Sequence, residues 1–292
     1  MSTYNGEKYL EEQLNSILNQ KNVSINILVR DDGSQDKTID ILNLFKKEGK
    51  LDWYSGNNLK PARSFLDLVK TSKKYDYYAF SDQDDYWEEN KIERAINQLE
   101  QSNSKNGKLY LSCLKVVDSN LNLMYKSFIP KNITLKNEMI KNYATGCTMV
   151  FDDNLKKIIN CSRGKYVAMH DSFIYRLALI HHSYVYVDQE SYICYRQHGS
   201  NVLGMTNGFI NTWKRRWKHF IHSECIASKT AIELINNENI HLSSEDYEFL
   251  NLLANYKKNL SYKRKLLNMK IFDRNEKMTN ILFKIKLIFN RV

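Results

Sequence analysis

Four carboxylates and a glutamine fall within ten residues in Asp76-Tyr77-Tyr78-Ala79-Phe80-Ser81-Asp82-Gln83-Asp84-Asp85. The aromatic run from Tyr77 to Phe80 reads as a short core strand, so Asp82, Asp84 and Asp85 crowd just past its end. Three acids held that close repel one another and lose hydration, which is costly unless a cation neutralises them. A divalent ion with oxygen ligands does so, and Mg²⁺ in such sites shares its ligands with substrate phosphates. The competing account is a polar turn in which Asp85 caps a helix from about Glu88 to Glu100.

A second acidic pair has the same setting. Val23 to Val29 alternates and reads as a strand leading into Arg30-Asp31-Asp32-Gly33-Ser34-Gln35-Asp36. Helix-forming residues follow from Ile39 to Lys47. Strand, acidic glycine-containing loop and helix is the arrangement in which open α/β sheets bind ligands beyond their strand ends. An Asx-rich turn with Ser34 or Asp36 as helix cap also fits, although two adjacent acids exceed what a cap requires.

The stretches Ser2-Thr3-Tyr4-Asn5-Gly6-Glu7-Lys8-Tyr9-Leu10, Asp31-Asp32-Gly33-Ser34 and Phe80-Ser81-Asp82-Gln83-Asp84-Asp85 resemble family-2 glycosyltransferases. The likeness is to the rhamnosyltransferase-like subgroup of bacterial surface-polysaccharide synthesis. It continues through Thr145-Gly146-Cys147-Thr148, Met169-His170-Asp171 and Tyr195-Arg196-Gln197-His198-Gly199-Ser200-Asn201, covering about residues 1–205. The resemblance implies an inverting sugar transfer from a nucleoside-diphosphate donor, with Mg²⁺ or Mn²⁺ as cofactor. It makes Asp84 the principal metal ligand, sets Asp82 near the nucleotide ribose and lets Asp85 shape the site. Asp31 and Asp32 would meet the base edge, against which Tyr4 would pack. Asp171 is the candidate base, in a His-Asp pair where His170 orients. Without the resemblance, Asp171 before Ser172 reads first as a helix cap. Arg196 and His198 follow a strand and could meet the diphosphate, His198 through neutral imidazole on the metal. Thr145 and Gly146 form a small-residue turn that a sugar could approach closely.

Other classes fit less well. No Gly-x-Gly-x-x-Gly follows the first loop, against a nicotinamide-dependent oxidoreductase. From Met205 onward 11 lysines and 5 arginines face 8 acids, so the net charge of +10 belongs mainly to the tail. There Trp213-Lys214-Arg215-Arg216-Trp217-Lys218-His219 interleaves aromatic and basic residues as a nucleic-acid binder does. A nearly neutral first 204 residues makes a poor phosphate-backbone surface, and nucleic acid is not an expected partner. The alternative within the family is a catalytically inactive sugar-nucleotide-binding relative. Five cysteines without a Cys-x-x-Cys spacing suggest reduced thiols, and no apolar run reaches the length of a membrane span. The expected location is cytoplasmic, peripheral on the inner face of the cell membrane.

Positioning these residues calls for alternating strands and helices. Helices are expected at Glu7 to Gln20, Pro61 to Ser72, Thr134 to Asn142, Asp153 to Asn160 and Asp171 to His181. Strands are expected at Leu51 to Tyr54, Lys108 to Val117, Tyr184 to Val187 and Ser191 to Tyr195. The class is α/β: a GT-A type nucleotide-sugar-binding domain over 1–205, with a mainly parallel central sheet flanked by helices. A basic helical extension over 206–292 follows. It carries a second basic-apolar segment from Met278 to Val292, suited to an anionic membrane that presents a lipid-linked saccharide acceptor. The donor expected is dTDP-rhamnose or a UDP-sugar. Only Met1-Ser2-Thr3 precede the Tyr4 loop, where such a sheet needs a buried strand of about five residues. The first strand therefore reads as missing, through an internal start assignment or a truncated gene.

Overall fold

A computed structural model describes residues 1–162, 164–198, 225–237, 239–272 and 276–292. The segment with Trp213 and Trp217 lies outside the described residues. The elements run β1 (Ser2–Thr3), α1 (Leu10–Leu18), β2 (Leu28–Asp31), α2 (Thr38–Lys47), β3 (Asp52–Ser55), α3 (Lys60–Thr71), β4 (Tyr77–Ala79), β5 (Tyr86–Trp87), α4 (Lys91–Leu99), β6 (Lys108–Ser112), β7 (Lys115–Val117) and β8 (Leu123–Lys126). They continue as α5 (Leu135–Ile140), a 3-10 turn (Gly146–Thr148), β9 (Val150–Asp152), α6 (Asp153–Cys161), α7 (His170–Ile180), β10 (Tyr184–Asp188), β11 (Ile193–Arg196), α8 (Ile226–Asn236), α9 (Ser244–Asn255), α10 (Leu260–Asn268) and α11 (Lys277–Ile288).

Strands β1, β2 and β3 pair in parallel, as do β6 and β10, while β9 runs antiparallel between β6 and β4. A further sheet, β5-β11-β7-β8, stands beside them. The parallel strands lead into loops whose helices return across the sheet, so the acidic loops after β2 and β4 emerge together at the strands' carboxyl ends.

Several boundaries differ from the sequence expectation. β2 begins at Leu28 rather than Val23, because pairing starts where β3 supplies a partner, Leu28 against Asp52. Residues 23–27 instead border a cavity of about 1200 Å³, which also touches Met1, Leu28, Tyr77 and Ala79. The Met1 ammonium is buried beside it, donates to the Leu28 carbonyl at 2.8 Å and has its pKa pushed down to about 5 by burial. Lys108 to Val117 is not one strand. It breaks at Cys113-Leu114, where the Cys113 N–H turns to the Asp188 carbonyl at 3.1 Å, and its halves enter different sheets. Asp85 caps no helix: Tyr86 and Trp87 pair with Cys194 and Ile193, and α4 starts after Asn90.

One buried apolar cluster lies between α3, α6, α7 and the sheet and takes in Ala231, Leu234, Phe249, Leu253, Leu266, Phe283 and Leu287 from the last four helices. The other holds Leu10, Leu14 and Ile17 of α1 against Val29, Trp87 and Ile92. Burial of each such side chain contributes on the order of 1.5–3 kcal/mol.

Candidate active site

Loop geometry brings the two acidic motifs to the Tyr4 turn. Gln83 spans the gap: its Oε1 accepts the Tyr4 N–H at 2.9 Å and its amide donates to the Tyr4 carbonyl at 3.1 Å. A Cβ on Gly6 would sit 2.4 Å from Gln83 Oε1, so this closure needs glycine there. The Tyr4 side chain stays about half exposed, free to meet a planar ring. Sequence reasoning assigned Gln83 no role.

Asp31 and Asp32 are buried and engaged. Asp31 accepts the Gly33 and Ser34 N–H groups, each at 2.9 Å, and the hydroxyls of Thr3 and Ser34. Asp32 pairs with Arg30 and accepts the Leu59 N–H at 3.0 Å and the Ser64 hydroxyl at 3.1 Å. In this structure both build the loop, and among the described residues Asp32 Oδ2 accepts only the Leu59 N–H, which leaves it capacity to accept a further hydrogen bond.

The second acidic loop divides its labour. Asp84 is partly exposed, and its Oδ2 lies 2.9 Å from His198 Nε2. Asp82 lies within electrostatic reach of Asp84 and of Asp171; burial first, then those two charges, push its pKa up. Asp85 is fully buried. It accepts the Arg196 N–H at 3.2 Å on one oxygen and leaves the other without a protein partner. Burial, then Asp82 and Asp84, raise its pKa too. Beneath it, Lys91 is buried with its ammonium 3.7 Å over the Trp87 ring, and its pKa is pushed down to about 8 by burial.

Among the described residues, Asp82, Asp85 and Cys147 place one ligand atom each within 4.8 Å of the others. Burial raises the Cys147 thiol pKa, and a soft sulfur donor suits Mg²⁺ or Mn²⁺ less well than oxygen does. Asp84 with His198, flanked by Asp82, offers the oxygen and imidazole donors that Mg²⁺ or Mn²⁺ takes. The crowding that raises the proton affinity of Asp82 is the deficit such an ion relieves.

Arg196 does more than the sequence suggested. Its Nε donates to the Asp84 carbonyl at 2.9 Å, its Nη1 to the Ser119 carbonyl at 2.7 Å and its Nη2 to Glu12, while its guanidinium stacks on Tyr9 at 4.4 Å. The planar fork thus ties α1, the β7–β8 turn and the acidic loop together.

Asp171 lies in the first turn of α7, behind Met169, and does not cap the helix. It is nearly buried, and desolvation raises its pKa against the N–H groups of Ser172 and Gly146 and the Asn142 amide, which favour the anion. Thr145 precedes the 3-10 turn, and Gly146 lies so near α7 that a Cβ there would come within 2.4 Å of His170 Nε2.

His170 itself is buried, stacked on Phe65 at 4.2 Å and edge-on to Phe80 at 5.0 Å, and neither ring nitrogen has a protein partner. Burial pushes its pKa down to about 3 from 6.5. The unfolded chain therefore binds a proton that the fold refuses between those values. Stability from this residue is complete above about pH 6.5 and falls as pH drops toward 3. By pH 4.5 the loss is roughly 2–3 kcal/mol. His170→Phe should flatten that dependence in urea melts run from pH 7 to 4.5, and an unchanged slope would refute the assignment.

Three comparisons bear on this geometry. A model described as Glycosyl transferase family 2 matches residues 1–159. A dTDP-rhamnosyl transferase, RfbG of Shigella flexneri, is 33% identical over 238 residues, 74% of this chain and 77% of its own. A UDP-Glc:alpha-D-GlcNAc-diphosphoundecaprenol beta-1,3-glucosyltransferase, WfgD of Escherichia coli, is 24% identical over 218 residues, 74% of this chain and 82% of its own. The crystal structure of S. aureus TarS 1-349 in complex with UDP-GlcNAc superposes with a TM-score of 0.61 at 18% identity, covering 100% of this chain and 80% of that one. That likeness establishes a shared GT-A-like α/β fold.

Proposed function

Because the chain belongs to glycosyl transferase family 2, we propose that it transfers a sugar, with inversion, from a nucleoside-diphosphate donor to a lipid-linked saccharide in surface-polysaccharide synthesis. The observation that supports the reading is the closure of the acidic loop on the Tyr4 turn through Gln83, with Asp84 against His198 beside it; Asp171 lies within electrostatic reach of that loop. A donor held at the acidic loop would present its anomeric carbon toward the start of α7.

In this reading Tyr4 packs on the base, and Asp31 and Asp32 shape the pocket around its edge. Asp84 and His198 hold Mg²⁺ or Mn²⁺, which when bound supplies positive charge for the leaving diphosphate. Asp171 takes the proton from the acceptor hydroxyl as its oxygen bonds to the anomeric carbon, while the bond from that carbon to the diphosphate breaks. Attack opposite the leaving group inverts the centre. Desolvation gives Asp171 the proton affinity for this task, and the Gly146 N–H and the Asn142 amide aim its carboxylate. Arg196 keeps the Asp84 carbonyl in place and sets its guanidinium beside the acidic loop, facing the diphosphate. Thr145 and Gly146 border the sugar. The catalytic work falls to residues 1–205, and 206–292 serves as the appended helical unit.

The donor is proposed to be dTDP-rhamnose, supported by the dTDP-rhamnosyl transferase named above. Purified protein with Mn²⁺, a lipid-linked disaccharide and a panel of nucleotide sugars, scored by release of the nucleoside diphosphate as the sugar is transferred to the disaccharide, should single out the dTDP donor. Release from a UDP-sugar alone would reassign the donor, and silence across the panel would leave a binding relative without transfer.

A further inference from the structure

Helix α5 ends at Ile140, and the backbone turns extended at Lys141 before it reaches the 3-10 turn at Gly146. This short connection faces two ways. Toward α7, the Asn142 amide donates to Asp171 Oδ1 at 3.4 Å, while the Asn142 side-chain oxygen accepts the Ala144 N–H at 3.0 Å. The aim of that amide is therefore set by the path of the connection itself. Away from α7, two residues of the connection reach Glu276 at the start of α11. The Lys141 ammonium lies 2.9 Å from it and the Tyr143 hydroxyl 2.6 Å.

Tyr143 is held at both ends. Its ring is buried in the main cluster, and its hydroxyl meets a carboxylate that the Thr279 hydroxyl holds in turn at 3.1 Å. Bonds from a hydroxyl to an ionised oxygen are short and roughly twice as strong as neutral ones. The Tyr143 N–H donates at 3.0 Å to Glu138, on α5. Glu138 is wholly buried, and Arg176 of α7 stands 3.9 Å from its other oxygen and donates to its backbone carbonyl at 3.2 Å. Burial pushes the Glu138 pKa up to about 8, against the pull of Arg176 and of the Tyr143 N–H. A carboxylate in that setting is costly to keep. What it binds is the backbone of this connection and the guanidinium of the helix that carries Asp171.

We propose that Tyr143 is a positioning residue for the base, clamped by Glu138 on its N–H and by Glu276 on its hydroxyl so that the Asn142 amide stays aimed at Asp171. The inference rests on the reading that Asp171 takes the proton of the acceptor hydroxyl. Through Glu276 the last helices thereby act on transfer by way of Tyr143, without supplying a group to the reacting atoms. A misplacement of about 1 Å can cost about 10²-fold in rate. Freeing one end of the clamp leaves the other in place, so the expected effect is a partial misalignment of the base in a folded molecule.

The test compares transfer kinetics with donor binding by calorimetry in variants of the full chain. Tyr143→Phe keeps the buried ring and removes the hydroxyl bond. Its kcat should fall about tenfold, with the donor dissociation constant and binding stoichiometry unchanged. Glu276→Ala should give the same fall, and the two changes together no more than either alone, since both remove that bond. Glu276→Gln can still accept from the hydroxyl and should restore most of the rate. Lys136→Ala breaks the Lys136–Glu245 pair between α5 and the last helices without touching the connection, and should leave kcat at the parental value. On the Asp171→Asn background, Tyr143→Phe should cost nothing further. A tenfold loss that persists there, or one matched by Lys136→Ala, makes the role structural and overturns the proposal. So does parental kcat in both Tyr143→Phe and Glu276→Ala while Asp171→Asn collapses, which leaves the base reading standing. Parental transfer by Asp171→Asn would bring down the base reading, and this inference with it.

Discussion

Asp171→Asn should lower the transfer rate by about 10³-fold while leaving the dissociation constant for the donor within about twofold of the parent. General-base catalysis contributes about 10²–10⁴-fold, and the asparagine keeps the shape but cannot take the proton. In the proposed reading the donor is held by the Tyr4 turn and the two acidic loops, none of which hydrogen-bonds the Asp171 side chain, so the change reaches donor binding only through the charge felt at Asp82. A loss confined to kcat identifies an interaction made in the transition state. Donor affinity can be read by calorimetry and transfer by product formation. Equal falls in both, accompanied by a lower melting temperature, would make Asp171 a structural group that merely anchors the start of α7 to the 3-10 turn.

On the proposed reading, Asp84→Asn should reduce kcat/KM by about 10³-fold, because it removes one carboxylate charge from the site that would hold the ion facing the leaving diphosphate. The change is nearly isosteric, and the His198 ring can still donate to the amide oxygen, so the loop should hold its shape. Mn²⁺ affinity, followed by calorimetry or by the electron paramagnetic resonance of free Mn²⁺, should fall at least tenfold, about 1.4 kcal/mol. Retention of parental turnover by the variant in a strong chelator would remove the ion from the reaction. Parental Mn²⁺ affinity in the variant would move the ion elsewhere, with Asp82, Asp85 and Cys147 as the next set of ligands to test.

The elements that carry chemistry were legible because each motif sits where a run of β-prone residues changes to turn and helix formers, as at Arg30-Asp31-Asp32-Gly33 and Phe80-Ser81-Asp82. What the residues cannot announce is pairing. Val23 to Ile27 has the alternation of a strand, yet β2 begins only at Leu28, where β3 supplies a partner, and β1 joins from Arg30. Lys108 to Val117 is continuous in pattern, and its break at Cys113-Leu114 depends on backbone partners at Asp188 and Ser127, far along the chain. Tyr86 and Trp87 were read as an approach to a helix for the same reason: their partners are Cys194 and Ile193. Within the site, residue type marked the acids but not their occupancy. Asp31 and Asp32 build their own loop, and Asp85 faces inward over Lys91. The residues mark Arg196 only as a diphosphate contact and give Gln83 no role, because the bonds by which they join distant segments leave no local signal.

The Arg196 fork has a further consequence, for the order in which the molecule assembles. Glu12 and Arg196 are separated by 184 positions, and Asp84 and Ser119 lie at intermediate distances from Arg196, 112 and 77 positions. Bringing such remote points together forfeits chain entropy that local contacts do not, so this junction closes after the surrounding helices and hairpins have formed. A nascent or partly refolded chain therefore has most of its secondary structure before it has a cleft able to hold a sugar nucleotide. Donor and metal ion select the finished molecule alone: they slow its unfolding and leave the earlier steps of its folding untouched.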